Sequence, residues 1–414
     1  MTNQEQSTHN TADSRPIPEH TGEGSSEAIT QAVFEEIDKH LGTFFPDHPY
    51  HGPDHSLISV LGGATHVMDV GAESGLPDTD AEAKLAVKLA AYAHDAIINT
   101  TEPDPDRINA KTYGHVIRLR GAGEYMPKPV RTLLGPEGKG NEEQSWLHLE
   151  KIMDRYDPDR RVFTDRVRLL AHDMIFVTYP EAMSPVPYPD PKDTIITIIN
   201  PETGQKEEFD LEPYLLKDGS GKPAGLKFWQ PFLTEHSPLP VVAVALGDLS
   251  EGGRVGPTEF RILGNAEFWE TCVTGRVRDI PDNFADWQGT DRWRRMVGMS
   301  EDMLGWAESQ VGFLLWQKIR FHEVMDTNRA INAVPDQAHS FKERMLGTYK
   351  HFDENIFASA ERVKHLRETY KSLKYQATYE KNPEDTEKLF FALVNEMDYE
   401  RFRPGTKAEP ATTA

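Results

Sequence analysis

The sequence predicts an all-α fold: a helical bundle interrupted by an inserted β-hairpin and continued by a C-terminal helical extension. Three observations predict it. Apolar residues recur at helical spacing through most of residues 27–180 and again from about residue 239. The stretch 181–224 loses that period, is rich in proline, and contains DTIITIINPETGQKEEFDL, in which β-branched residues alternate around an Asn-Pro-Glu-Thr-Gly turn. From Asp291 to Met397 long amphipathic stretches return.

Residues 1–26 hold almost no large apolar side chains, so they cannot bury enough surface to offset the entropy of ordering and are expected to be disordered. The tail 403–414 reads the same way. The first helix places Ile29, Val33, Ile37 and Leu41 on one face, with Ser25 or Ser26 able to cap it. A second helix opens at HGPDH, with Pro53 at a plausible first helical position and Leu57, Val60, Leu61, Ala64 and Val67 following at helical spacing. AEAKLAVKLAAYAHDAII is apolar almost all round and is therefore expected at the centre. Residues 100–140 are broken by Pro and Gly, with a short helix expected near 109–119; helices at about 141–154 and 163–178 follow. Beyond the 181–224 insertion, helical patterning resumes at PLPVVAVALGDL and PTEFRILGNAEFWETCV, then at 291–328, 338–350, 353–378 and 384–397. The expected organisation is one helical domain over 27–280 carrying the insertion, with an extension over 281–402 packed on it.

A net charge of −22 repels nucleic acid backbones and anionic membranes at long range, so neither a polynucleotide nor a membrane is an expected partner. No apolar run approaches the roughly 18 residues that span a bilayer. A single cysteine, Cys272, excludes an internal disulfide framework and a cysteine zinc cluster, and a reducing cytoplasm is the expected compartment. The C-terminal helices offer a face for a homodimer.

The chemistry concentrates where charge meets apolar helix. LAVKLAAYA leads straight into His94-Asp95, and burying an ionised carboxylate costs several kcal/mol unless it is paired or metal-bound. Asp95 either caps or ion-pairs with a neighbouring helix, or both side chains face an ion. His55 stands in the first turn of the preceding helix, and a short connection implies antiparallel helices, which brings His55 beside His94-Asp95. Asp248 ends another apolar run, where the helix dipole disfavours a carboxylate unless something positive compensates it.

In this order and with these flanks, YHGPDHSLISV, LAAYAHDAII, GNEEQSW and VALGDLSEGG resemble the motifs of the HD superfamily of metal-dependent phosphohydrolases, over roughly residues 28–275 with 181–235 matched poorly. The resemblance implies an HD-type helical bundle. It implies His55, His94, Asp95 and Asp248 as ligands of a divalent ion (Mn, Fe, Zn, Ni or Mg) that activates water for attack on a phosphate ester. It implies Glu142 as general acid/base, with Glu143 beside it as the alternative that fits a solvated helix start better. The basic stretch containing Arg107, Lys111 and Arg118 is either a set of phosphate contacts or a solvated loop. The expected substrate is a nucleotide or other small phosphorylated metabolite.

Two departures qualify the resemblance. His172-Asp173 is a second HD pair, available as an extra ligand or a supporting residue. Binuclear branches, oxygenases among them, carry further histidines, for which His115, His148 and His172 are the candidates; one ion is the simpler expectation. A di-iron oxygenase and a non-catalytic binding protein are the rival readings. The insertion interrupts the chain just before Asp248, which suggests a lid.

Overall fold

The computed structural model describes residues 25–44, 55–96, 141–178, 181–271 apart from 189, 200–203 and 219, and 289–402. The expected terminal tails, the helix near 109–119 and the residues His51, Arg107, Lys111, His115, Arg118 and Cys272 lie outside the described residues, apart from Ser25 and Ser26 at the end of the N-terminal tail.

The molecule is mostly helical, as the periodicity predicts. Helix α1 (Ser26–Phe44) starts at Ser25, whose hydroxyl accepts a hydrogen bond from the Ala28 N–H, and buries Val33, Phe34 and Ile37. A wide, π-type turn spans His55–Leu61 and runs without a break into α2 (Gly62–Glu73), since Leu61 keeps helical angles of φ −64° and ψ −45°. Gly75, at φ +76°, ends α2 in the left-handed conformation that glycine adopts at little cost.

Helix α3 (Ala81–Ala93) begins at Asp80, which accepts from the Ala83 N–H. Its small residues Ala83, Ala86, Ala90, Ala91 and Ala93 are all buried, which makes it the central helix of the bundle. Helices α4 (Asn141–Tyr156) and α5 (Asp165–Val177) flank it. Arg166 bonds to Asp78, Asp80 and Glu82 and so ties the starts of α3 and α5 together; its hydrogen bond is the largest reason that the Asp80 carboxyl falls to a pKa of about 2. Helix α6 (Leu239–Leu249) is buried from Leu239 through Asp248 and packs on α2, α3 and α5.

The insertion is richer in strand than the sequence predicts. The expected hairpin is present as β2 (Ile195–Ile199) against β3 (Lys206–Asp210), antiparallel, with Ile195 opposite Asp210 and Ile199 opposite Lys206. A second sheet has the order β1-β5-β4, built from β1 (Glu181–Pro187), β4 (Leu216–Lys217) and β5 (Pro223–Trp229). Its strands escape a pattern search because β1 carries Pro185 and Pro187, shifts register between Met183 and Val186, and β4 is only two residues long.

The remaining helices are α7 (Glu251–Arg254), α8 (Pro257–Thr271), α9 (Gly289–Thr327), α10 (Arg329–Asn332), α11 (Pro335–Thr348), α12 (Phe352–Tyr375), α13 (Pro383–Glu396) and α14 (Tyr399–Phe402). Two apolar cores result. One is formed by α1–α6 with Phe321, Val324 and Met325 of α9 and Phe341, Met345, Tyr349 and Phe352. The other joins the insertion (Ile196, Leu211, Leu215) to α8, the first two-thirds of α9, α12 and α13. The 39-residue α9 therefore passes from one core into the other.

Candidate metal centre

Three helix ends meet at one point: the π-type turn supplies His55, the end of α3 supplies His94 and Asp95, and the end of α6 supplies Asp248. The close approach of α2 and α6 depends on glycine. A Cβ on Gly247 would lie 2.6 Å from the Val60 carbonyl oxygen, and one on Gly63 would lie 2.9 Å from the Gly247 Cα. With no side chain at either position, the backbones come close enough to set Asp248 beside His55.

His55 Nε2 lies 3.7 Å from Asp95 Oδ2 and 3.7 Å from Asp248 Oδ1. His94 Nε2 lies 2.8 Å from Asp95 Oδ2 and 3.9 Å from Asp248 Oδ1. Both histidines and Asp248 are buried, and Asp95 is partly so. The His94 ring is oriented by its other nitrogen: Nδ1 sits 3.0 Å from the Ala91 carbonyl oxygen, the geometry of an Nδ1–H donor, which leaves the Nε2 lone pair for the cluster. The short contact of His94 Nε2 with Asp95 lacks hydrogen-bond alignment.

The donors fit a divalent ion. Bonds of about 2.1 Å put neighbouring ligand atoms about 3.0 Å apart in an octahedron and about 3.4 Å apart in a tetrahedron, and the observed separations of 2.8–3.9 Å bracket both. His55, His94 and Asp95 form the one group among the described residues with donor atoms close enough to share an ion, and Asp248 adjoins it. Two imidazoles and two carboxylates suit first-row divalent metals or Mg²⁺. Charge points the same way, because two carboxylates in a largely buried site need a compensating positive charge. For the His94 imidazole, burial opposes protonation, but Asp95, Asp248 and the Ala91 carbonyl outweigh it and lift its pKa to about 9. A proton thus supplies part of the charge that a cation would supply in full.

Glu142, in the first turn of α4, lies close enough to this cluster for its charges to act on it. Burial raises its pKa most, and the negative charges of Asp95 and Asp248 add to the effect, giving a value of about 7. Glu143 is the next residue of the same turn and is half-buried. His172 is not one of the grouped donors: its Nδ1 is 3.0 Å from Asp173 Oδ1, and its ring packs against Trp146 and Phe176. His66 reaches across to Thr348, with Nε2 at 2.8 Å from the hydroxyl.

Sequence reasoning misses Glu251, a buried acid whose carboxyl burial pushes up, with the positive charge of His55 acting against it. It also misses Arg254, whose Nη2 donates to the Ser59 carbonyl oxygen at 3.0 Å. The signal was present in DLSEGGR, an acid three residues after Asp248, but nothing in a linear pattern says that this acid is buried.

Comparison with protein-family models, with curated proteins and with solved structures finds no match to this chain. No helix among the described residues is long and apolar enough to cross a membrane.

Proposed function

We propose that this chain is a metal-dependent phosphohydrolase of the HD type, acting on a phosphomonoester or phosphodiester of nucleotide or small-metabolite size. The observation that carries the reading is the convergence of His55, His94, Asp95 and Asp248 at three helix ends, with the Glu142 carboxyl near enough to feel their charges. A bound divalent cation supplies Lewis-acid polarisation of a phosphoryl oxygen and activation of water.

The protein's own residues do the rest. The four side chains hold the ion at a buried helix junction, and Ala91 fixes the His94 ring. Glu142, titrating near neutrality, accepts a proton from the attacking water or returns one to the leaving oxygen. One ion is favoured over two because no second donor group accompanies the first among the described residues. With a net charge of −22 the surface disfavours polyanions, so a small phosphorylated substrate in a cytoplasmic setting fits best.

The test is a screen of nucleotides and phosphorylated metabolites with Mn²⁺, Fe²⁺, Mg²⁺ and Ni²⁺. Hydrolysis of at least one ester is expected, with Glu142→Gln lowering kcat by about 10²–10⁴ at unchanged metal content. Dioxygen-dependent turnover with two irons per chain, or no turnover with any ester, would remove the hydrolase reading.

A further inference from the structure

A cavity of about 270 Å³ opens in the second core, between α8, α9, α12 and the end of α13, and none of its lining residues belongs to the metal centre. Its floor is apolar, with Phe260, Gly264 and Ala307 all buried. A Cβ on Gly264 would meet the Gln310 carboxamide alone, with Oε1 at 3.4 Å, so the space above this glycine is otherwise open. A buried cavity of about 150 Å³ takes a benzene ring, so this one has room for a ligand of about ten heavy atoms.

Two polar side chains on its wall are left short of partners. Gln310 is only 8% exposed, and its carboxamide makes no hydrogen bond among the described residues. An amide that deep is costly without a partner. Arg362 bonds only through Nη2, and only to uncharged groups: Asn265 Oδ1 at 2.9 Å, the Glu396 carbonyl oxygen at 2.7 Å and Met397 Sδ at 3.1 Å. Its Nε is buried and unbonded, and no carboxylate is in ion-pair contact with its guanidinium, among the described residues. Burial, and then the charge of Arg261, lowers its pKa to about 10. A cation held in this way gains from a bound anion. Arg261 is already paired with Asp398 at 2.9 Å, and His365 on the same wall is exposed. Glu396 is the one acid among the lining residues, so the site has no surplus charge for a dianion such as a phosphate monoester and suits a single carboxylate.

We propose that this cavity binds a small organic monocarboxylate, whose carboxylate accepts hydrogen bonds from Arg362 and Gln310 and whose apolar body lies on Phe260 and Ala307. Few polar groups over an apolar floor is the usual make-up of a small-molecule site. The guanidinium supplies the charge-assisted bond that a neutral ligand of the same shape cannot match. The site does not depend on the metal centre, because the two share no residue.

The experiment titrates the full chain with 4-fluorophenylacetate and with its neutral amide, followed by ¹⁹F NMR, with thermal melting in parallel. The acid is expected to bind at least about tenfold more tightly than the amide, since hydrogen bonds to a charged group are the stronger ones. Arg362→Met is expected to bring the two affinities together. Gln310→Leu is expected to weaken binding of the acid severalfold at a melting temperature close to the wild type, because the carboxamide it removes bonds to nothing in the protein; it decides the matter if Arg362→Met does not fold. His94→Ala is expected to bind the acid as the wild type does. Equal binding of acid and amide by the wild type, no binding of the acid at millimolar concentration, or wild-type preference for the acid in the folded variants would overturn the proposal. Binding lost in His94→Ala would place the carboxylate at the metal centre and overturn it as well.

Discussion

His94 carries two competing claims on one nitrogen. Its Nε2 faces Asp95 and Asp248, and their charges outweigh burial and keep the ring protonated up to a pKa of about 9. A metal must displace that proton before it can bind. Apparent metal affinity should therefore rise about tenfold for each pH unit between 6 and 8 and flatten near 9, which competition with a chromophoric chelator across that range would reveal; a flat profile would contradict the raised pKa of His94. Glu150 gives an independent check on the fold. It is buried in α4, its Oε2 has no hydrogen-bond partner among the described residues, and burial first, then Asp154, raises its pKa to about 7. A folded pKa above the unfolded one means that the folded chain holds a proton the unfolded chain has released, so stability falls as pH rises from about 4.5 through 7. Glu150→Gln should accordingly raise the melting temperature at pH 8 by a few degrees, on the order expected for 1–2 kcal/mol, and change it little at pH 4.5. The candidate ligands were legible in the sequence by two routes: His94-Asp95 and Asp248 follow apolar runs, and the short connection between helices brings His55, at the start of its helix, beside them. The burial of Glu251 was not, because nothing in the sequence says how the short helix after Asp248 packs.

At the scale of elements, the centre depends on how closely α2 and α6 cross. The residues that permit it are Gly63 and Gly247, not the ligands. Gly247→Ala would set a Cβ 2.6 Å from the Val60 carbonyl oxygen, a backbone atom with little room to yield. The helices must separate, which carries Asp248 away from His55. Overpacking of this kind costs about 1–3 kcal/mol, and metal affinity should drop by at least about tenfold, since a ligand is displaced. Gly305→Ala is the control: a Cβ there meets nothing within 4 Å, and alanine is the better helix former, so melting temperature should stay level or rise slightly. Calorimetry and metal titration of both variants test the pair, and equal behaviour would contradict the crossing argument. Helix spans were readable to within a few residues: α9, expected over 291–328, runs Gly289–Thr327, and α13, expected over 384–397, runs Pro383–Glu396. The β1-β5-β4 sheet was not readable, because prolines and a register shift hide the alternation that marks a strand.

At the scale of the molecule, the C-terminal helices are woven into both cores. Phe321, Phe341 and Phe352 complete the core built from the helices that carry the candidate metal site, while α12 and α13 share the second core with the insertion. The insertion packs Ile196, Leu211 and Leu215 into that second core. Periodicity identified these segments as helices and hairpin but not their partners, because an amphipathic face states that something covers it without stating what. The central claim is the ion at His55, His94, Asp95 and Asp248, and elemental analysis of the purified chain after loading and desalting tests it most directly. About one divalent ion per chain is expected, lost in His94→Ala and Asp248→Ala without loss of helical content. A wild-type chain that retains no metal, or variants that retain as much as the wild type, would contradict it.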